Sequence, residues 1–432
     1  MAVFSRALRA RFPATALAKW FAIALVAPLL ASPLSGCNDE IGLPAYTGTG
    51  VRYPTALVAD PSGRYVYVVG ANFDRGNRGG IVSVLDTVAG GWADGGRVEV
   101  PTYASGITLQ ADALGAGKHR LFVPSREDDS ISVIDVTPVA GAAPVLGCGA
   151  PANDIGPCGD AWRIGGLEKG DLNVGQDPVS VTLAPGHDGQ SLLLHVAASV
   201  GGRLSTFGVK DGPGGGVVAT ALPAFTPGGT GASPSALLRS PLSGRIYVAD
   251  VRRNAIYAYQ LDATTSASET AWSVRLHNPI AGLPVASGSE FSRSMALSAD
   301  GGRLYVAYRN PNALLIIDTA PDATGQPIDS HVDTIGLGGR PAQVVLAPTG
   351  PGGRELAYVS CFGTDDIWVV DPEARSVVAV VRLPHSPYGL AVANVPGRGW
   401  TLYTGLFSQH RIAVIDLDEG DPERHQVSAF IE

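Results

Sequence analysis

Seven copies of one spacing run through the chain, and that spacing limits the fold more tightly than any single motif. In each copy an aromatic or equivalent residue sits inside a short apolar run. A second apolar run follows and closes, in most copies, on aspartate. The first positions are Tyr67, Phe122, His195, Tyr247, Tyr305, Tyr358 and Tyr403, and their partners are Asp86, Asp135, Gly208, Gln260, Asp318, Asp371 and Asp416. Six separations equal 13 residues and the first equals 19, so the first copy holds a six-residue insertion. A sustained period of this kind marks one supersecondary unit repeated, each copy able to bury its faces only against its neighbours.

The residues around each pair complete a four-strand unit. Copy five reads SMALSADGGRLYVAYRNPNALLIIDT from Ser294 to Thr319, followed by HVDTIGL. Gly or Pro clusters separate the apolar runs, the chain has 55 Gly and 32 Pro, and only 16% of its residues are charged. Short strands with tight turns and no helical period predict an all-β, seven-bladed β-propeller of four-stranded antiparallel blades over residues 51–432. The closing aspartates are expected to bond the backbone of the next turn. The Gly-rich run Gly212–Gly216 reads as an inter-blade linker. Copies three and four depart from the pattern, with His195 and Gly208 in one and Gln260 in the other.

The first 36 residues follow a different logic. Arg6, Arg9, Arg11 and Lys19 precede an apolar stretch from Trp20 to Leu30 that is too short for a permanent membrane span, which predicts an export signal. Leu34-Ser35-Gly36-Cys37 resembles the lipobox of bacterial lipoproteins, and that resemblance implies cleavage before Cys37, acylation of its thiol and a tether over 37–50. Asn38, where an inner-membrane retention signal has Asp, favours the outer membrane of the cell envelope. Loss of four positive side chains with the signal takes the net charge from −8 to −12. An acidic surface without a basic stripe lacks the main energetic term for nucleic acid, so no nucleic-acid partner is expected.

Cys148 and Cys158 lie ten residues apart in a Gly/Pro/Ala/Asn-rich stretch that forms part of an insertion near 137–176. In an exported chain they are expected to form a disulfide, a closure worth about 2.5–3 kcal/mol in the chain-entropy model. The rival reading, zinc, would need two further Cys or His ligands nearby. Cys361 is expected to be buried and inert.

RIYVAD (Arg245 to Asp250), RLYVAY (Arg303 to Tyr308) and strands of the type SISVIDV (Ser130 to Val136) resemble the YVTN family of seven-bladed propellers. The resemblance covers most of the chain beyond the signal and implies a propeller in an extracytoplasmic setting. It implies no activity, because activities within this group and its lactonase-like relatives vary.

The first strand of each blade should line the channel, and these strands are chemically bland. With no convergent carboxylates or histidines among them, no catalytic residue, metal or cofactor is expected. The loops between the second and third strands share a face with the residues leading into the first strands, and that face collects the charge. Arg293, Arg340, Tyr103, Asp177, His385 and Tyr388 are the candidate binding residues, since arginine and tyrosine combine contact area with directional hydrogen bonds. The expected function is a monomeric, lipid-anchored binding or scaffold module for a protein, peptide or glycan. The alternative is a lactonase-like propeller hydrolase acting on a cyclic ester. Cys37→Ala should shift the protein from the membrane to the soluble fraction; unchanged membrane association would remove the anchor.

Overall fold

The computed structural model describes residues 43–149, 156–166, 172–186, 192–266, 269–284 and 292–432. The export signal, Cys37 and its lipidation lie outside the described residues. Seven antiparallel sheets form a β-propeller, each sheet built from strands consecutive in the chain. Six sheets have four strands and one has five. The innermost strands are Pro54–Ala59, Thr108–Gln110, Pro178–Pro185, Pro234–Arg239, Ser292–Leu297, Pro341–Ala347 and Pro387–Val395. Blades are numbered from one to seven in that order.

Side-chain alternation along the second strand explains why a single blade is not stable. In Tyr65–Gly70 of blade one, Val66 and Val68 pack toward blade seven, whereas Tyr67 and Val69 pack toward blade two. Both faces are therefore apolar and both need cover. Among the described residues the buried apolar side chains fall into seven clusters, one at each interface between neighbouring blades. The repeated aromatic position is a wedge into the following blade. Phe122 joins the cluster between blades two and three, Tyr305 that between five and six, and Tyr403 closes seven against one.

Several of these wedges carry a polar tip that finds a partner across the joint. Tyr247 donates to Asp329 Oδ1 in blade five at 2.7 Å. The Tyr358 hydroxyl lies 2.6 Å from that of Thr349 and 3.3 Å from His425 Nε2 in blade seven. The exceptional His195 serves the same joint-making role, with Nδ1 3.0 Å from Thr206 Oγ1 and 3.2 Å from Tyr259 Oη of blade four. Burial, reinforced by the Arg239 charge, pushes the His195 imidazole down to about 3. Burial and then Arg424 push His425 down to about 4.

The closing aspartates behave as expected: Asp86 Oδ1 accepts from Val88 and Ala89 N–H at 3.0 Å, and Asp371 Oδ1 from Glu373 and Ala374 at 3.0 and 2.9 Å. Each also pairs with an arginine at the start of the neighbouring strand, as in Arg303–Asp318 at 2.5 Å and Arg354–Asp371 at 2.9 Å. Blade four has Gln260 instead, so Arg245 has no such partner in its own sheet. It turns outward to blade five and forms a buried ion pair with Asp329, which the Tyr247 hydroxyl also bonds. The irregular copy thus contains a buried ion pair across its joint with blade five.

One sequence expectation changes. Gly212–Gly216 is a turn between the third and fourth strands of blade three, Leu204–Asp211 and Val217–Ala221, and does not link blades. Within the span 137–176, Ala142–Gly147 forms the fourth strand of blade two, and Arg163–Gly165 pairs with the same third strand, Ser130–Val139. Finally, the tether docks from Leu43 onward, where Arg78 N–H donates to Pro44 O at 3.0 Å and the Arg97 guanidinium bonds Gly48 O. The Cys148–Cys158 disulfide is present and lies within the cluster between blades one and two, with Cys158 Sγ 3.6 Å from Glu99 O. Cys361 is buried, and burial pushes its thiol up to about 12.

Asp329→Ala strands a buried guanidinium, so it should cost about 3 kcal/mol or more, against less than about 1 kcal/mol for Arg303→Ala at a half-exposed pair. Urea midpoints at one pH compare them, and equal losses would refute the inter-blade role. Acid should also weaken the fold. His195 and His425 bind protons more readily unfolded than folded, so their contribution is complete above about pH 6.5 and falls as pH drops toward their folded values. His195→Gln should flatten the stability slope between about pH 6 and 4 by about 1.4 kcal/mol per pH unit. An unchanged slope would show that His195 does not titrate on unfolding.

Candidate functional site: the axial funnel and its aromatic rim

Six of the seven first strands begin with a register shift, for example between Pro54 and Ala56 or between Pro341 and Gln343. The residue before that shift is often left-handed without being glycine, with φ 52° at Tyr53, 61° at Asp177, 54° at Arg340 and 44° at Ser386, and Tyr103, ahead of the unshifted first strand of blade two, has φ 59°. Such backbone costs energy and persists only where its surroundings fix it. Here the carbonyl of the leading residue accepts from the first residue after the second strand. Ala71 N–H bonds Tyr53 O at 3.1 Å, Ser199 bonds Asp177 at 3.0 Å, and Phe362 bonds Arg340 at 3.2 Å. This repeated lock ties both loop sets of the face to one frame.

The face opens into an axial cavity of about 960 Å³ to which all seven blades contribute. Its wall is lined by small hydroxyl and amide side chains, but most are already committed to the neighbouring blade's backbone. Thr55 donates to Ala104 O at 2.9 Å, Thr108 to Val181 O at 3.0 Å, and Ser105 to Pro178 O at 3.1 Å. Ser180 Oγ accepts from Leu237 N–H at 3.0 Å, and Gln343 Oε1 from Leu390 N–H at 2.7 Å. The wall is a structural ring.

The mouth carries the chemistry. Arg126, Arg252 and Arg293 line it from blades two, four and five, with Asp177 and Tyr388. Asp177 is occupied: Arg126 Nη2 bonds its Oδ2 at 3.0 Å, and the Ser199 hydroxyl also donates to it. Three of the predicted binding residues, Asp177, Arg293 and Tyr388, therefore meet in the funnel.

Tyr103 and Arg340 belong instead to an aromatic rim around blades six, seven, one and two. Ring centroids are 5.0 Å apart for Phe73–Tyr103, 5.3 Å for Phe73–Phe407, 6.2 Å for Phe362–Phe407 and 6.1 Å for Tyr388–Phe407. The Arg340 guanidinium stands 5.8 Å over Phe362, and Arg75 stands 5.1 Å over Tyr103 while donating to its hydroxyl at 3.0 Å. Tyr53 seals the rim, with its N–H bonding His410 Nδ1 at 3.1 Å. Burial and then the Arg52 charge lower the His410 pKa, which keeps the imidazole neutral and able to accept. His385 lies outside both groups, exposed and 3.8 Å from Asp365.

Sequence reasoning missed Phe73, Phe362 and Phe407. A signal existed: Phe362 and Phe407 each follow the second strand of their blade directly, and Phe73 lies in the six-residue insertion.

No family model and no curated protein matches the chain. Solved structures do. Hydrazine synthase from Kuenenia stuttgartiensis aligns at TM-score 0.51 and 16% identity over 86% of this chain and 98% of that one. A provisional 6-phosphogluconolactonase from Bacteroides uniformis aligns at 0.50 and 16%, over 79% and 88%. The β-propeller domain of Cps50 (Swd1) from Myceliophteria thermophila aligns at 0.50 and 10%, over 84% and 96%. At such identities the likeness defines the class, a β-propeller, and nothing about the ligand.

Proposed function

We propose that the protein is a binding module of the bacterial cell envelope, anchored by lipid on Cys37, that takes its ligand through the mouth of the axial funnel. The observation that carries this reading is the convergence of Arg126, Arg252, Arg293 and Tyr388 at the opening of a cavity to which every blade contributes. A concave site with a few directional groups is where a propeller presents a ligand surface. Binding is favoured over hydrolysis because Asp177, the carboxylate at the described mouth, is held by Arg126 and Ser199 rather than poised against an open reaction centre. The leader pattern and the four-residue lipobox resemblance support the envelope setting.

The test uses envelope extract passed over immobilised protein. A component retained by the wild-type chain should be lost when Arg252→Glu and Tyr388→Ala are combined, with the thermal midpoint unchanged. Retention indifferent to both substitutions would place binding elsewhere.

A further inference from the structure

The loop enlarged by the insertion in copy one does two things. It presents Phe73, 46% exposed, and it receives the start of the described chain. Asn72 ties the two limbs of the loop together, its Nδ2 donating to Asn77 O at 2.7 Å and its Oδ1 accepting from Asn77 N–H at 3.1 Å. Arg78 N–H, one residue further on, donates to Pro44 O at 3.0 Å. Leu43, itself exposed, therefore stands beside the loop that carries Phe73. The rim around Phe73 is open to solvent: Tyr53, Tyr103, Phe362, Tyr388 and Phe407 are all half-buried. Tyr53 lies 5.2 Å from Phe407 and 6.2 Å from Phe73 between ring centroids, so the rings form one continuous patch. Arg340 is exposed, with its guanidinium 5.8 Å over Phe362.

A continuous aromatic patch left in water marks a contact face. Phe and Tyr beside Arg suit the boundary between lipid and water, where the rings sit at headgroup depth and the guanidinium meets phosphate. Chain length decides what lies in front of this face. Cys37 is six positions before Leu43, and six residues of chain span about 20 Å at most. With Cys37 acylated, Leu43 and the loop beside it stay within about that distance of the lipid. The opposite face, with its closing-aspartate turn, lies a further strand length away along Gly80–Asp86, about 20 Å. We infer that the aromatic rim rests on the lipid surface in which Cys37 is anchored, with Phe73 at headgroup depth. The rim occupies blades six, seven, one and two, so the face meets the lipid at a tilt and leaves exposed Arg252 of blade four open to ligand. This goes beyond the binding reading proposed above and rests on its lipid anchor.

Spin-label accessibility tests the orientation, with the full chain acylated by a bacterial host and placed in vesicles of phosphatidylethanolamine and phosphatidylglycerol. One nitroxide is attached at Phe73→Cys, or at Ser408→Cys, an exposed rim site beside Phe407 that leaves Phe73 in place. The control is Val88→Cys, exposed in the closing-aspartate turn of blade one. Cys148 and Cys158 are bonded to each other and Cys361 is buried, so these three take no label. Labels at 73 and 408 should collide with dissolved oxygen more often than with a water-soluble nickel chelate, and the label at 88 should show the reverse. Chelate-accessible labels at all three positions would overturn the inference. Rim labels shielded from both reagents would overturn it as well, with a second copy of the chain as the occupant. Labelling of the unsubstituted chain separates these failures from failure of the anchor. An acylated Cys37 takes no label, whereas a free Cys37 thiol takes one and removes the anchor together with the inference.

Discussion

The architecture depends on short side chains near the axis that stitch neighbouring blades together at five of the seven joints. Thr55, Ser105 and Thr108, Ser180, Ser294 and Gln343 each reach across a joint to a backbone N–H or C=O of the following blade. Near the axis the blades converge, and these short polar side chains share the first strands with apolar ones such as Leu57, Leu237 and Met295. The backbone groups of the first strands would otherwise line the channel with only one neighbour each. A hydroxyl one or two bonds from the backbone fills that space and satisfies those groups together. Further out the same joints widen and are filled by the wedge residues, from Tyr67 to Tyr403. Polar stitching inside and aromatic wedging outside are two answers to one taper.

The ring closes between blades seven and one without exchange of a strand, since each sheet is made of consecutive strands. Closure depends on how closely the two sheets approach. A Cβ on Gly389 would stand 2.8 Å from Thr55 O, and one on Gly405 would stand 2.8 Å from Pro54 O. The absence of side chains at these two positions lets the first strand of blade one sit against blade seven. Val66, Val68 and Leu85 then interdigitate with Ala391, Tyr403 and Val414. Outside the core, Trp92 Nε1 donates to Glu432 O at 2.5 Å, and near the mouth His410 accepts from Tyr53. The seam is thus made from the same materials as the other joints.

The blade count, the strands and the aspartate turns were legible in the sequence because they are local: a period, an alternation and a side chain bonding two residues ahead. The Cys148–Cys158 pair was legible because ten residues of loop leave few other partners. What was hidden involves residues brought together by closure. Ser, Thr and Gln in the first strands look bland singly, since their role depends on a neighbour about 50 to 75 residues away, as with Thr55 and Ala104 or Ser105 and Pro178. The buried Arg245–Asp329 pair, 84 residues apart, could be suspected only from Gln260 having lost the charge that Arg245 meets in other blades. The aromatic rim draws on four blades, including the first and the last, and no window along the chain contains it.

The one irregular spacing of the repeat ends where the site is. The insertion of copy one lies in the loop between Tyr65–Gly70 and Gly80–Asp86, and it carries Phe73 and Arg75 to the rim. Arg75 also pairs with Glu127 of blade two at 2.8 Å, so the added loop is braced and not loose. A repeat that obeys its period everywhere makes a symmetrical face, on which every sector offers a ligand the same contacts. Breaking the period in one sector places aromatic surface on one side of the mouth, opposite the arginines of blades four and five. The left-handed residues Tyr53 and Asp177 sit at bulged strand starts and Tyr103 ahead of an unshifted one, each with its carbonyl fixed by the repeated lock. Rigid sheets supply the frame, and strain at a few positions gives the face its direction.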